Sequence, residues 1–135
     1  MGCGRVGARL ALMLTLAGHD VTIMDIKSSA FSRLGPEFKG TTILGNGIDQ
    51  EVLKRAGVER ADAFVAATQG DNRNIMASQI AKHVFGVERV VTRIYDPLRS
   101  DTFAALGLQA ISPTIIGANA FYEELTGEAA RPVAV

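Results

Sequence analysis

Gly2, Gly4 and Gly7 fall at the spacing G-x-G-x-x-G, and an apolar helical pattern follows at once. That combination can hold a diphosphate. One glycine permits a tight turn, the next lets a phosphate approach the backbone, and the third lets the helix pack closely on a sheet. The helix N-terminus then offers unpaired N–H groups and the positive end of its dipole to the anion. A second chemical feature stands downstream. Val21-Thr22-Ile23-Met24-Asp25 reads as a strand ending on a carboxylate, and Asp25 lies 18 positions beyond Gly7. A residue that holds ribose hydroxyls is expected roughly 20 positions on. The alternative is a structural turn followed by a solvated strand-end Asp.

Other polar residues fall where the same ligand would lie. Lys27 could reach a ribose or a phosphate, or stand solvated. Asn46, in Gly45-Asn46-Gly47, could bond a base or hold the turn that Asn and Gly favour. The polar cluster Thr68–Asn74 follows an apolar strand, at the carboxyl end where open α/β sheets bind ligands. There Thr68 is expected to face the ligand and Asp71 to cap the next helix. Arg93, near the end of a later strand, could pair with phosphate or with Asp25 or Asp96. His83 has no second His, Cys or carboxylate at ligand spacing, so neither a metal site nor a catalytic residue is expected. Cys3 reads as a small loop residue rather than a nucleophile.

The elements that must position these residues alternate. A first helix places Val6, Leu10, Met13, Leu14 and Ala17 on one face and closes at Gly18. After the strand ending at Asp25, a helical segment of about 28–34 has Ser28 or Ser29 as its N-cap. The strand 41–44 precedes a helix of about 50–56, capped by Asp49 and stopped by Gly57. The strand 61–67 is nearly all apolar, as in a sheet covered on both faces. A long helix of about 72–85 carries Met76, Ala77, Ile80, Ala81 and Val84 as its core stripe. A strand 89–94, a helix from Pro97 to about Leu106 and a short strand 110–112 follow. The last helix, about 114–125, has apolar residues on more than one face, so part of it is expected to meet a partner. Gly127 ends it, giving a lobe over 1–127 and a tail over 128–135. Strands alternating with helices make a doubly wound, Rossmann-like parallel α/β domain. Only Met1 precedes the glycine turn, so the central first strand is expected to be missing through truncation or a late start. Two strand edges would then face each other unpaired, unless another subunit or the apolar segment 132–135 fills the gap.

The chain of 135 residues is the length of one domain, and 47% of them are apolar, an ordinary globular composition. Fourteen basic and fourteen acidic residues cancel, which argues against a broad electrostatic grip on nucleic acid or an anionic membrane. The single cysteine suits a reducing cytoplasm. No apolar run reaches the ~20 residues of a membrane span, and the N-terminus lacks signal-peptide regions.

The combined motifs resemble the nucleotide-binding lobe of the regulator-of-potassium-conductance family, the regulatory subunits of Trk- and Ktr-type potassium uptake systems. They are Gly2-Cys3-Gly4-Arg5-Val6-Gly7, Gly18-His19-Asp20-Val21 running to Asp25, Thr68-x-x-Asp71-x-x-Asn74, Arg93-Ile94-Tyr95-Asp96-Pro97, and Leu106-Gly107 before Ile111-Ser112-Pro113. The resemblance implies a binding module, not an enzyme, that takes NAD(H) first or ATP/ADP as a signal. It puts Gly4, Arg5 and Val6 on the phosphates, with Gly2 and Cys3 in the same loop. Asp25 falls on the adenosine ribose with Lys27 beside it, and Asn46 and Gly47 near adenine. Thr68, Asn74 and Arg93 line the rest of the cleft. It further implies a homo-oligomer, a dimer or ring, built through residues 113–126 as a crossover helix. That assembly would sit in the cytoplasm, peripheral on the membrane through a potassium transporter, without nucleic acid or membrane insertion. Asn46 stands where the family commonly has an acid, and a second ligand site is not expected because the family's C-terminal lobe is absent. The rival readings are a small NAD-dependent oxidoreductase and a non-binding scaffold. Against the first, there is no Tyr-x-x-x-Lys pair: Arg99 follows Tyr95, and Thr126 follows Tyr122, at that spacing.

Overall fold

Short apolar and β-branched runs, each closed by a polar or glycine-containing turn, set the element order of the computed structural model, which describes residues 1–133. Helix α1 is Arg5–Leu16, strand β1 Thr22–Asp25, strand β2 Thr41–Leu44, helix α2 Gln50–Arg55 and strand β3 Ala63–Ala66. Helix α3 is Asp71–Gln79, strand β4 Arg89–Arg93, helix α4 Ser100–Ala105, strand β5 Gln109–Ile111 and helix α5 Pro113–Thr126. Ala134 and Val135 of the expected tail lie outside the described residues.

All strand pairs are parallel. They form a two-stranded ladder, β1-β2, and a three-stranded ladder, β3-β4-β5. Met1 and Gly2 join the two. The Met1 amino group donates to Val65 O at 2.7 Å and Ala67 N–H to Met1 O at 2.8 Å. On the other side Gly2 N–H donates to Met24 O at 2.8 Å. The expectation of two unpaired edges is thus corrected at the carboxyl end, where two residues satisfy both sides. Burial of the Met1 ammonium lowers its pKa to about 6. Pro132 and Val133 are exposed, so this part of the tail does not fill the sheet.

Along β1 the side chains alternate. Ile23 packs with Cys3, Ala8, Ala11, Ala30 and Leu34, whereas Met24 joins the larger core of Leu53, Phe64, Val90, Ile94 and Phe103. Consecutive strand residues point to opposite faces, so both faces of the sheet are covered.

Local signals explain several helix ends. The Asp49 side chain caps α2 by accepting from Glu51 N–H at 2.9 Å. Ser112 Oγ accepts from Ile115 N–H at 3.3 Å at the start of α5, and Gly127 closes that helix with left-handed φ. Two expected caps are corrected. The 3-10 segment Ser28–Arg33 has Lys27 at its N-cap with no side-chain bond. Helix α3 starts from Gly70, and the Asp71 carboxylate turns away to Tyr95 and Asp96.

Two expected core faces are also corrected. In α1 the inward residues are Gly7, Ala8 and Ala11, while Val6 and Met13 are exposed, Met13 to 58%. In α3 Asn74, Ala77 and Ser78 point inward, with Ala81 in the following π turn, and Met76 and Val84 are exposed. The small residues face in because α1 lies very close to the glycine turn. A Cβ on Gly7 would overlap the carbonyl oxygen of Gly2. Gly7→Ala must therefore push helix from loop and should cost about 1–3 kcal/mol, read as a lower urea midpoint at unchanged m-value. An unchanged midpoint would contradict this packing.

Candidate functional site

Because the strands are parallel, their carboxyl ends gather on one edge. Gly2 takes φ +98°, and a Cβ there would meet Ala67 and Thr68 backbone atoms at 2.9 Å. Only glycine gives both the left-handed turn and this approach. The turn therefore lies directly against the end of β3. Gly4 follows in extended conformation as the N-cap of α1, with no side-chain capping bond and no acid in the first helical turn. A Cβ on Gly4 would meet nothing within 4 Å. The helix end is thus uncapped, positively polarised and approachable, which are the requirements of an anion site. Arg5 and Val6 are exposed beside it.

Asp25 is bound to this loop. Its Oδ2 accepts from Cys3 N–H at 2.8 Å and its Oδ1 from Lys27 N–H at 2.9 Å. One carboxylate therefore fixes both the phosphate-loop candidate and the chain leaving β1. Each oxygen retains acceptor capacity for a hydroxyl. Cys3 is fully buried, with Sγ 3.4 Å from Ala30 O, and burial pushes its thiol pKa up; a raised pKa and full burial disfavour the thiolate. Lys27 is exposed. Arg33, absent from the sequence reading, brings a guanidinium to the same loop, with Nη1 3.4 Å from Cys3 O. Its only sequence signal is a place in the short helical segment after Asp25.

Gly47 is buried beside the loop, and a Cβ there would overlap the Met1 side chain. Asn46 is exposed, and its Oδ1 accepts from Ile48 N–H at 3.2 Å. It holds the turn in this structure, and its side chain remains at the surface.

Asn74 joins two strand ends. It is fully buried. Its Oδ1 accepts from Thr68 N–H at 3.0 Å and Thr68 Oγ1 at 2.6 Å, and its Nδ2 donates to Thr68 O at 3.0 Å and Arg93 O at 3.1 Å. With its amide committed in four bonds, Asn74 is a brace between the ends of β3 and β4. The half-buried Thr68 spends its hydroxyl proton on Asn74, so toward a ligand it offers only acceptor capacity. Arg93 forms no ion pair with Asp25 or Asp96 among the described residues. Its Cζ lies 5.8 Å from the Tyr95 ring centroid, and its Nε is buried without a hydrogen-bond partner. A buried orphan donor on a cation is the kind of group an anionic oxygen would satisfy.

The structure thus brings together Gly2, Cys3, Gly4, Asp25, Gly47 and Thr68, with Asn74 linking Thr68 to the Arg93 backbone. Among the described residues no group of three or more His, Cys, Asp or Glu could hold a metal ion, and no helix is long and apolar enough to cross a membrane.

The family model of the TrkA-N domain matches residues 1–113. The chain is 42% identical over 133 residues to the Trk system potassium uptake protein TrkA of Streptomyces coelicolor, covering 98% of this chain and 60% of that protein. The chain thus spans somewhat over half the length of this curated relative. Among solved structures, the TrkA-N domain of the inner membrane protein ybaL from Escherichia coli superposes with a TM-score of 0.81 at 18% identity, covering 92% of each chain. The Shewanella denitrificans Kef CTD, solved in an AMP-bound form, gives 0.79 at 20% identity, covering 93% of this chain and 77% of that one. These two superpositions establish the Rossmann-like fold.

Proposed function

Because the chain belongs to the TrkA-N domain family, we propose that it is a nucleotide-sensing lobe that regulates potassium uptake. The observation that carries the reading is the open, uncapped N-terminus of α1 held against the Asp25 carboxylate through Cys3. In this reading a diphosphate lies on the Gly2–Val6 loop, Asp25 takes ribose hydroxyls, and the base lies toward Asn46 and Gly47. Lys27, Arg33 and Arg93 supply positive charge. The ligand is NAD(H) first, with ATP or ADP as the alternative; the AMP-bound form of one structural neighbour supports an adenine nucleotide. Asp25 disfavours NADP, whose 2′-phosphate would meet a carboxylate.

The bound nucleotide acts as a signal, not a reagent. The chain's own residues would bind and orient it, and among the described residues no His–carboxylate pair stands beside the loop to move a proton. The signal leaves through α5, none of whose residues is buried; Phe121 is 74% and Leu125 84% exposed. A groove of about 430 Å³ lined by Ile94, Leu108, Ile111, Ile115 and Ile116 lies at its base. A second copy would cover these surfaces, forming a dimer or ring on the cytoplasmic side of a potassium transporter.

A thermal-melt panel with NADH, NAD, ATP and ADP tests the reading. A ligand at 100 times its dissociation constant should stabilise the fold by about 2.7 kcal/mol, roughly 5–10 °C in a domain of this size. No shift with any of the four, from a chain with a cooperative melt, would refute it.

A further inference from the structure

We propose that Tyr95 carries the occupancy of the nucleotide cleft to the first turn of α5, an inference that rests on the nucleotide reading above. Tyr95 stands just beyond β4 and is engaged in three directions. Its N–H donates to Asp71 Oδ1 at 2.7 Å, and the next N–H, of Asp96, donates to Asp71 Oδ2 at 3.0 Å. Its carbonyl accepts from Thr114 Oγ1 at 3.2 Å. Its ring faces the Arg93 guanidinium at 5.8 Å.

These contacts differ in kind. Asp71 opens α3 next to Gly70 and holds both backbone amides at once, so Tyr95 and Asp96 move as one unit with the loop that carries Thr68. Helix α5 buries no residue. Its setting on the lobe therefore depends on bonds near its start, and the Thr114 hydroxyl reaches directly back to Tyr95. Arg93 has two competing partners, the Tyr95 ring and any anion in the cleft, and its buried Nε has no partner here. A guanidinium drawn onto phosphate gives up the ring face. The ligand then binds one placement of Tyr95 better than the other, which is the differential affinity that coupling requires. Through its carbonyl, the displaced Tyr95 shifts the anchor of α5.

The test is hydrogen exchange of the α5 first-turn amides, 114–118, with and without NADH and ADP, in the parent chain and in Thr114→Val. In the parent, ligand should change exchange there by about fivefold or more. In Thr114→Val the change should fall below about twofold, while the titrated nucleotide affinity stays within about twofold of the parent. Tyr95→Leu, which removes the ring and keeps both backbone bonds, should also blunt the response. Retention of the full response in both variants overturns the inference, as does a parent that binds nucleotide without any change in α5. Failure of the folded parent to bind either nucleotide overturns the nucleotide reading itself and this inference with it, a result distinct from binding without propagation.

Discussion

Asp25→Ala should weaken binding of any adenine nucleotide by about 100-fold or more and lower the stability of the free chain as well. The two losses have separate origins. In the proposed complex the carboxylate accepts charge-assisted hydrogen bonds from ribose hydroxyls, each worth roughly 1.5–3 kcal/mol, and every 1.4 kcal/mol is tenfold in affinity. In the free chain it also accepts from Cys3 and Lys27 N–H. Without it the Cys3 amide, in a partly buried turn, loses its acceptor, at about 1–3 kcal/mol. Asp25→Asn separates these parts. One amide oxygen can keep one backbone bond, so stability should fall less, while the loss of charge still weakens the ligand. Isothermal titration beside a urea melt reads both quantities. Unchanged affinity in Asp25→Ala would remove Asp25 from the ligand site and leave it as a loop clamp.

The second large effect is expected at a buried residue behind the cleft. Asn74→Ala should destabilise the fold by about 3 kcal/mol or more. The substitution removes four hydrogen bonds. It leaves the Thr68 amide and the Thr68 and Arg93 carbonyls, in a partly buried site, without this partner, and buried unsatisfied groups cost about 1–3 kcal/mol each. In a domain of this size the melting temperature should fall by roughly 10 °C. Nucleotide affinity should fall too, because Thr68 and the end of β4 lose their common brace. A loss below about 1 kcal/mol would contradict the assignment of Asn74 as the brace.

The contrast between these two residues shows what the sequence makes legible. Asp25 could be located because its place at the end of β1 follows from a fixed count along a βαβ unit: glycine turn, helix, strand, carboxylate. The same logic located the strands, the Asp49 helix start and the outward apolar surface of α5, since each depends on neighbours in the chain. Asn74 and Asp71 could not be read that way. Their partners lie 6 to 25 positions distant, and a polar residue in a helical first turn is equally compatible with a cap, a ligand or a cross-strand brace. Tertiary contact decided among them.

Helix faces failed for another reason. The largest apolar stripe of α1 is not its core face, because the Gly2–Gly7 contact brings the helix too close for Met13 or Val6 to fit beneath it. Gly7, Ala8 and Ala11 fill the interface. Among the described residues no strand precedes α1, and only the carboxyl end of the sheet centre is filled. Met1 and Gly2 have almost no pattern, yet their backbone groups bond to Met24, Val65 and Ala67.

An adenine nucleotide held at the carboxyl edge of the sheet should be visible residue by residue in solution. A ¹H–¹⁵N correlation titration of the chain with NADH, repeated with ADP, tests it most directly. Saturating shifts should concentrate on the amides of 3–7, 25–27, 45–47 and 68–70, with the largest in the first turn of α1. Shifts concentrated instead at the opposite edge, on the polar groove formed by Asp62, Lys82, Glu88, Arg89 and Gln109, or no saturable shifts at all, would contradict the account.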